Sequence, residues 1–344
     1  MDLDELLHRR RPSQWSLFIS SPTLYITRLL YAIRRQPSDG VLETQTEPIM
    51  VVCISDTHNK QPSLPYGDIL IHAGDLTQLG TQQELQDQID WLDSQPHPHK
   101  FVIAGNHDKG LASFRNADTT SSAIPDSDSE NTIPTVQLNW GSITYLSNSS
   151  STITIRERTL KIFGSPWTRK NGNWVFQYPH EHGGDVWFQR IPDDTDILVT
   201  HGPLKGHLDT WDGWGCGWLL KEVWRVVGRQ RRLRLCVFGH IHDGYGVERV
   251  WFDEFQRLYE EMVIANSDAR KMRRDKLSLA TWVIGTVSRW SVVVKMVWVY
   301  VCSRIGVGYV DGAGRSDDVV QLVNAAHVGG LRDRTLRNAI VVSI

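Results

Sequence analysis

Five short apolar segments in this chain are each followed directly by aspartate, histidine or asparagine, and this pattern constrains the fold most. The segments have the length and the Val, Ile, Leu and Phe content of buried strands in α/β proteins. The polar clusters that follow them are residues 55–59 (SDTHN), 74–76 (GDL), 105–108 (GNHD), 201–203 (HGP) and 239–242 (GHIH). Because the carboxyl ends of strands border the ligand crevice of an open α/β sheet, we expect these side chains to meet there.

These clusters contain the ligand types of a two-metal centre. They supply four imidazoles, two carboxylates and one amide oxygen, from Asp56, His58, Asp75, Asn106, His201, His240 and His242. Mixed nitrogen and oxygen ligands without thiolate suit Mn, Fe or Zn rather than a structural thiolate zinc site. Seven ligands with one shared carboxylate serve two divalent ions about 3.5–4 Å apart.

His240 and His242 can bind ions in the same site only if the backbone between them is not extended. On an extended strand, alternate side chains point to opposite faces, so the pair diverges. A turn after the strand lets both imidazoles face the same ions, and the neighbouring Gly239 makes such a close approach feasible. The sequence therefore predicts irregular backbone at residues 239–242.

The five motifs, in this order, resemble the calcineurin-like metallophosphoesterase superfamily. The flanking residues 191–201 (IPDDTDILVTH), 164–167 (GSPW) and 323–326 (VNAA) resemble its branch of metallophosphoesterase-domain-containing (MPPED-like) proteins. The resemblance covers roughly residues 49–254 and 319–344. It implies an α/β fold, a metallophosphoesterase sandwich of two mixed β-sheets flanked by helices, to which this chain adds a helical insertion.

The resemblance also implies a role for each motif residue. The metal ligands divide into Asp56, His58 and His242 for the first ion, Asn106, His201 and His240 for the second, and Asp75 as the bridge. A metal-bridging hydroxide would attack phosphorus in line, and His107, in the general-acid position, would protonate the leaving group. Asp108 would orient His107 or, alternatively, cap the following helix. The substrate-binding residues stay unassigned.

The predicted function is therefore metal-dependent hydrolysis of a small phosphodiester or phosphomonoester, with manganese among the candidate ions. With 37 Lys+Arg against 39 Asp+Glu, the chain lacks the basic field that non-specific nucleic-acid binding needs, so we expect no nucleic-acid partner. Two alternatives stay open. One is a di-metal enzyme of a non-phosphoesterase reaction in secondary metabolism, and the other is a membrane-associated scaffold with residual activity.

Changes in patterning along the chain predict four segments. These are an N-terminal arm (1–45), a metallophosphoesterase domain (46–254), a helical insertion (255–314) and C-terminal strands that complete the domain (315–344). In the insertion, apolar residues from Phe255 to Val263 recur at helical spacing. Residues 116–135 are polar, which indicates a surface segment without a core of its own.

Two apolar stretches raise the question of membrane contact. Residues 14–33 fit either an amphipathic surface helix or an arm that packs on the domain. Residues 277–301 have helical periodicity, but Arg289 and Lys295 would each cost about 2.5–3.5 kcal/mol near a bilayer centre. The preceding basic run 270–276 fits an anionic membrane or a solvated helix surface. We expect a cytoplasmic protein with peripheral membrane contact through 14–33 and 270–301, while packing or spanning by 277–301 stays open.

The cysteines, tryptophans and other histidines yield smaller expectations. The four cysteines are far apart and form no CxxC pair, which favours buried reduced thiols. Several of the 14 tryptophans follow strand-end motifs and would wall a substrate cleft or fill the core: Trp167, Trp211, Trp214 and Trp218. A single histidine at a strand end is more often structural than a ligand, so the remaining histidines, His72 and His207 among them, are given no role.

Overall fold

The computed structural model describes residues 13–34, 47–113, 137–209, 213–272, 279–305, 319–329 and 334–344. Several of the features predicted above lie outside these described residues in whole or in part. They are residues 1–12 and 35–45 of the N-terminal arm, the polar segment 116–135, Trp211, residues 273–276 of the basic run, residues 277–278 of the apolar stretch, residues 306–314 of the insertion, and residues 315–318 and 330–333 of the C-terminal segment.

Short strands alternate with helices along the chain. The described strands are β1 (Met50–Ile54), β2 (Ile69–Ala73), β3 (His99–Ile103), β4 (Ile143–Tyr145), β5 (Ser149–Ile155), β6 (Arg158–Ser165), β7 (Thr168–Arg169), β8 (Gln177–Tyr178), β9 (Ile197–Thr200), β10 (Leu235–Phe238), β11 (Gly246–Trp251), β12 (Val319–Asn324), β13 (Val328–Gly329), β14 (Thr335–Leu336) and β15 (Ile340–Ser343). The described α-helices are α1 (Gln14–Ser20), α2 (Pro22–Ile33), α3 (Gln82–Asp93), α4 (Gly183–Trp187), α5 (Gly217–Gln230), α6 (Glu254–Met272) and α7 (Leu279–Ile305).

Two mixed sheets form the centre of the fold. The first has the order β15-β1-β2-β3-β4, with β1 to β4 parallel and β15 antiparallel to β1. The second has the order β11-β12-β10-β9-β6-β5, with parallel neighbours from β12 to β6 and one antiparallel strand at each edge. The C-terminal strands β12 and β15 thus complete one sheet each.

The core lies between the facing sheets. Val51 and Cys53 of β1 point inward and pack in one cluster with Val199 of β9 and Val237 of β10. Their neighbours in β1 point outward, because successive side chains of a strand alternate in direction. Both faces of β1 are therefore buried, which explains its continuous apolar sequence.

Helices cover the outer faces of both sheets. Helix α3 begins with a capping box of Thr81 and Glu84 and buries Ile89 against the first sheet. Helix α5 buries an apolar stripe that includes Leu220 and Val223 against the second sheet. Each such side chain contributes about 1.5–3 kcal/mol on burial. The predicted fold class, a sandwich of two mixed sheets flanked by helices, is confirmed.

The insertion and the arm pack together. Helix α6 buries Phe255 and Met262 in a cluster with Val292 and Met296 of α7 and with Leu24 of α2. The arm is further fixed by polar contacts, in which Ser21 Oγ donates to Asn266 Oδ1 (2.6 Å) and Tyr31 Oη donates to Glu248 Oε1 (2.8 Å). Of the two alternatives for residues 14–33, the structure therefore shows packing for the inner face of α2.

The structure also bears on the thiols and on membrane spanning. All four cysteines are buried and free, as the sequence predicts. Among the described residues, no helix combines the length and the apolar character needed to cross a membrane. The division of the chain into four segments stays a prediction.

Candidate metal centre

The five strand-end motifs converge at one edge of the sandwich. Asp56, Asp75 and Asn106 follow β1, β2 and β3 of the first sheet, whereas His201 and His240 follow β9 and β10 of the second. Their ligand atoms form overlapping groups, in each of which all atoms lie within 4.8 Å of one another. The groups are Asp56, His58 and His242; His58, Asp75 and His107; and Asp75, His201 and His240.

Asp75 occupies the middle of this arrangement. Its Oδ2 lies 3.3 Å from His201 Nε2 and 3.9 Å from His58 Nε2. His201 Nε2 also lies 3.1 Å from Asn106 Oδ1. On the other side, His242 Nε2 lies 3.3 Å from Asp56 Oδ1. The Asp75 carboxylate is thus the one that faces ligand candidates of both predicted ions.

The imidazoles of His58 and His201 are oriented as metal-ligating histidines usually are. His58 Nδ1 bonds to the Thr77 carbonyl oxygen (3.2 Å), and His201 Nδ1 bonds to the Ala73 carbonyl oxygen (2.8 Å). A carbonyl oxygen only accepts, so each Nδ1 carries the proton. In the neutral ring, the Nε2 lone pair then points into the cluster. This donor set fits two divalent ions.

Left-handed backbone conformations place several of these side chains. Asp56, His58, Asp75 and His240 have φ of 52°, 45°, 53° and 64°. Non-glycine residues in this region cost about 1–3 kcal/mol each and concentrate at functional sites, where the surrounding structure holds them. This conformational cost is therefore borne by metal-ligand candidates of both sheets, by Asp56, His58 and Asp75 of the first and by His240 of the second.

The turn after β10 brings His240 and His242 to the same site, as the sequence required. The His240 amide donates to both carboxylate oxygens of Asp56, at 3.1 and 3.0 Å. A Cβ at Gly239 would lie 2.0 Å from Asp56 Oδ2, so only glycine fits there. Asn324, at the end of β12, steadies the turn because its Nδ2 donates to the Ile241 carbonyl oxygen (2.9 Å).

The buried charges of the site stabilise one another. Burial alone raises the pKa of the Asp56 carboxyl, but the facing imidazoles, His242 above all, outweigh it and hold that pKa below its usual range. Burial likewise raises the pKa of the Asp75 carboxyl, but the nearby His201 outweighs it, so the pKa of Asp75 is also lowered. Conversely, Asp75 outweighs the effect of burial on His201 and raises its pKa to about 9. Both carboxylates are therefore ionised at neutral pH, as metal binding requires.

His107 lies at the open side of the cluster and is held by four contacts. Its amide donates to Asp75 Oδ1 (2.7 Å), and its Nδ1 bonds to the Gln78 carbonyl oxygen (2.9 Å). Its ring meets His58 edge-on, with centroids 4.7 Å apart, and stacks on Trp174 at 4.0 Å. Sequence reasoning missed Trp174, because its loop carries no motif that links it to His107.

Asp108 is expected to orient His107 or to cap the following helix, and in the structure its carboxylate contacts backbone amides of two loops. Its buried carboxylate accepts from the amides of Leu76 (3.2 Å), Thr77 (3.0 Å) and Gly105 (2.8 Å), and from the Thr77 hydroxyl (2.8 Å). Burial and the nearby Asp75 charge raise the pKa of Asp108 to about 6. Asp108 thus anchors the loop after β2 to the loop after β3, while the carbonyl of Gln78 takes the position at the His107 ring.

The strand-end tryptophans have different surroundings. Trp167 and Trp214 line a small pocket with Arg169 and His240, beside the metal-ligand cluster. Trp218 instead packs over Gly183 and is 39 % exposed. Trp167 and Trp214 therefore lie next to the site, as expected for the wall of a cleft, whereas Trp218 does not.

Comparisons with known proteins add an independent observation. Residues 49–244 match the family described as calcineurin-like phosphoesterase. Probable rhamnogalacturonate lyase C of Emericella nidulans is 40 % identical over 349 residues, an alignment that covers 99 % of this chain but 29 % of that protein. Metallophosphoesterase domain-containing protein 1 of Homo sapiens is 38 % identical over 215 residues, with 57 % of this chain and 61 % of that protein covered. A UPF0046 protein of Caenorhabditis elegans is 34 % identical over 222 residues, with 62 % and 69 % covered.

Proposed function

The chain belongs to the calcineurin-like phosphoesterase family, and from that premise we propose that it hydrolyses a small phosphodiester, or secondarily a phosphomonoester, with two divalent metal ions. The observation that carries the proposal is the position of Asp75. This buried carboxylate faces His58 on one side and His201 on the other. A shared carboxylate between two ligand groups is the arrangement of two-metal hydrolases.

The proposed ligand assignment places one ion on each side of Asp75. Asp56, His58 and His242 would hold one ion, Asn106, His201 and His240 the other, and Asp75 both. The nitrogen and oxygen donors suit Mn, Fe or Zn. When bound, such ions lower the pKa of water enough to supply hydroxide at neutral pH and neutralise the charge that grows on phosphoryl oxygens.

His107 is the residue proposed to protonate the leaving oxygen. Its Nδ1 is held by the Gln78 carbonyl oxygen, so Nε2 is the atom that can deliver a proton. Stacking on Trp174 fixes the plane of the ring, and the indole is 37 % exposed, so it also borders the space where a leaving group would lie. General-acid catalysis of this kind is worth about 10²–10⁴-fold in rate.

The substrate is proposed to be small and to carry phosphate. The near-balanced charge of the chain, 37 Lys+Arg against 39 Asp+Glu, disfavours a long nucleic acid. The lyase activity named for the Emericella nidulans relative is not carried over, because the chain matches only 29 % of that protein. The four free, buried cysteines support a reducing compartment such as the cytoplasm.

The experiment that tests this function uses the purified chain loaded with Mn²⁺ and bis-p-nitrophenyl phosphate. We expect turnover of the diester, slower turnover of p-nitrophenyl phosphate, and loss of both in chelator. A matched variant, Asp75→Asn, should be inactive although it keeps the size of the side chain. No turnover by the wild type with Mn, Fe, Zn, Ni or Co would reject a phosphoesterase and favour a di-metal enzyme acting on another bond.

A further inference from the structure

The outer face of α7 is an exposed apolar stripe. Within the described part of the chain, seven of its side chains keep 41–65 % of their surface exposed: Val287, Trp290, Val294, Val297, Trp298, Val301 and Ile305. They recur every three or four residues, so they form one continuous stripe along the helix. The opposite face is buried, with Val292, Val293 and Met296 packed against α6 and the arm. The stripe is thus the side of α7 that the fold leaves uncovered among the described residues.

Among the four helices in this layer, α1, α2 and α7 together carry charge of one sign only, whereas α6 carries both signs. Helices α1, α2 and α7 contain four cationic residues, and none of their residues is acidic. The cations are Arg28, Arg289, Lys295 and Arg304. Lys295 lies one residue from Val294 and beside the stripe. Helix α7 itself joins the exposed apolar stripe with positive charge alone, so its outer face complements an anionic, apolar partner.

The apolar surface continues from the stripe into a recess. Val294 and Trp298 also line a cleft of about 970 Å³ between α7 and the second sheet, whose other walls include Trp224 and Phe252. The acidic groups at this cleft are paired, because Asp253 bonds to Arg34 and Glu254 bonds to Arg257. The recess therefore adds apolar area without adding free negative charge.

These features favour a lipid surface over a second copy of the chain. In a two-fold contact, the stripe would face itself and bring the cations of α7 towards the cations of the partner's α7. Tryptophan, in contrast, is enriched at the membrane–water interface, where its ring lies at the headgroup level. Two of the seven exposed side chains are tryptophan.

We propose that the outer stripe of α7 docks this protein on an anionic membrane surface, lying in the interface without spanning it. Trp290 and Trp298 would insert between headgroups, while Lys295 would face the phosphates. The inner side of the arm packs on the insertion, because Leu24 and Thr27 of α2 are buried. The inference does not depend on the proposed hydrolytic activity.

The test is flotation of the full chain with vesicles of phosphatidylcholine alone or with about 30 % phosphatidylserine, enough to give a negative surface potential. The variants are Trp290→Ser combined with Trp298→Ser, and Lys295→Glu. The control is Phe188→Ser, which removes an equally exposed aromatic ring (68 %) outside the insertion. All substituted side chains are exposed, and thermal melting checks that each variant folds.

We expect the wild type and the Phe188→Ser control to float with anionic vesicles and to be released by high salt. The double tryptophan variant should stay at the bottom of the gradient. Lys295→Glu should weaken binding by about fivefold or more, the effect of one interfacial charge. Failure of the wild type to float, or equal flotation of the double variant, would overturn the proposal. So would a wild-type dimer in light scattering that the tryptophan variant abolishes without any vesicle binding.

Discussion

His201 and His207 lie on the same loop after β9, and both are fully buried beside carboxylates. In each case the carboxylates outweigh the effect of burial and raise the pKa of the imidazole, to about 9 for His201 and about 10 for His207. Residue type, burial and charge therefore do not distinguish the two sites.

The difference lies in where the ring nitrogens point. His201 Nδ1 bonds to a backbone carbonyl oxygen and its Nε2 faces Asp75 and Asn106. His207 bonds to Glu248 through Nδ1 and to Glu260 through Nε2, both at 3.0 Å. No nitrogen of His207 remains for an ion. A histidine–carboxylate cluster can hold a metal ion only where its ligand atoms converge on a shared space, as they do around Asp75.

The largest effect is expected at Asp75. Asp75→Asn removes the carboxylate that faces both ligand groups, so both ions should be lost. Turnover should fall by more than about 10⁴-fold, beyond the worth of a general acid alone. Metal content by plasma mass spectrometry and diester turnover measure this. If the variant kept two ions and near-normal turnover, the bridging assignment would be wrong.

The next effect is expected at His107, which separates catalysis from metal binding. His107→Gln should lower turnover by about 10²–10⁴-fold, because the leaving oxygen loses its proton donor. The two ions should remain, since the seven ligand candidates are intact. The loss should be smaller for a diester with a more acidic leaving alcohol. An equal loss for all leaving groups would contradict the general-acid role.

At His207 the expected effect is on stability rather than on chemistry. His207→Gln leaves Glu248 and Glu260 buried without their cation, which should lower the free energy of unfolding by about 3–5 kcal/mol. Metal content and turnover of the folded variant should be unchanged. Loss of metal in this variant would contradict the claim that the His207 cluster is structural and separate from the metal site.

The same cluster predicts a pH dependence. Because the pKa of His207 is raised to about 10, its contribution is complete below the unfolded value near 6.5 and is lost as pH rises towards 10. Glu248 and Glu260 face its nitrogens, Asp209 and Tyr259 lie nearby, and Tyr31 bonds to Glu248. Denaturation at pH 6 and pH 10 should show the difference between wild type and variant shrinking at the higher pH.

The smallest effect is expected at Asp108. Asp108→Asn removes an oxygen acceptor from the four hydrogen bonds that anchor the loops after β2 and β3. The free energy of unfolding should fall by about 1–3 kcal/mol, the cost of an unsatisfied buried donor. Turnover should change less than in His107→Gln. A loss of turnover as large as that of His107→Gln would instead favour the orienting role that the sequence predicts for Asp108.

The strand ends were the predictable part of this molecule. Asp56, Asp75 and Asn106 each follow a short apolar run, and the sheet topology alone brings such residues to one edge. The need for a turn at His240 also followed from strand alternation, although its φ of 64° and its bonds to Asp56 did not. Local sequence therefore predicts which residues approach the site.

Contacts between distant loops were not predictable in the same way. Asp108 and His107 are adjacent in sequence, yet the three amides that bind Asp108 come from two different loops. Trp174 reaches His107 from a loop with no recognisable motif. His207 depends on partners in β11 and α6. In each case the partner is determined by tertiary packing, which a single sequence does not encode at neighbouring positions.

The central claim is that residues from five strand ends hold two metal ions around Asp75. Anomalous diffraction from a crystal grown with Mn²⁺, measured at the manganese edge, tests it most directly. The account predicts two peaks, one by Asp56, His58 and His242 and one by Asn106, His201 and His240, with Asp75 in contact with both and no peak at His207. A single peak remote from Asp75, or no peak at this edge of the sandwich, would contradict it.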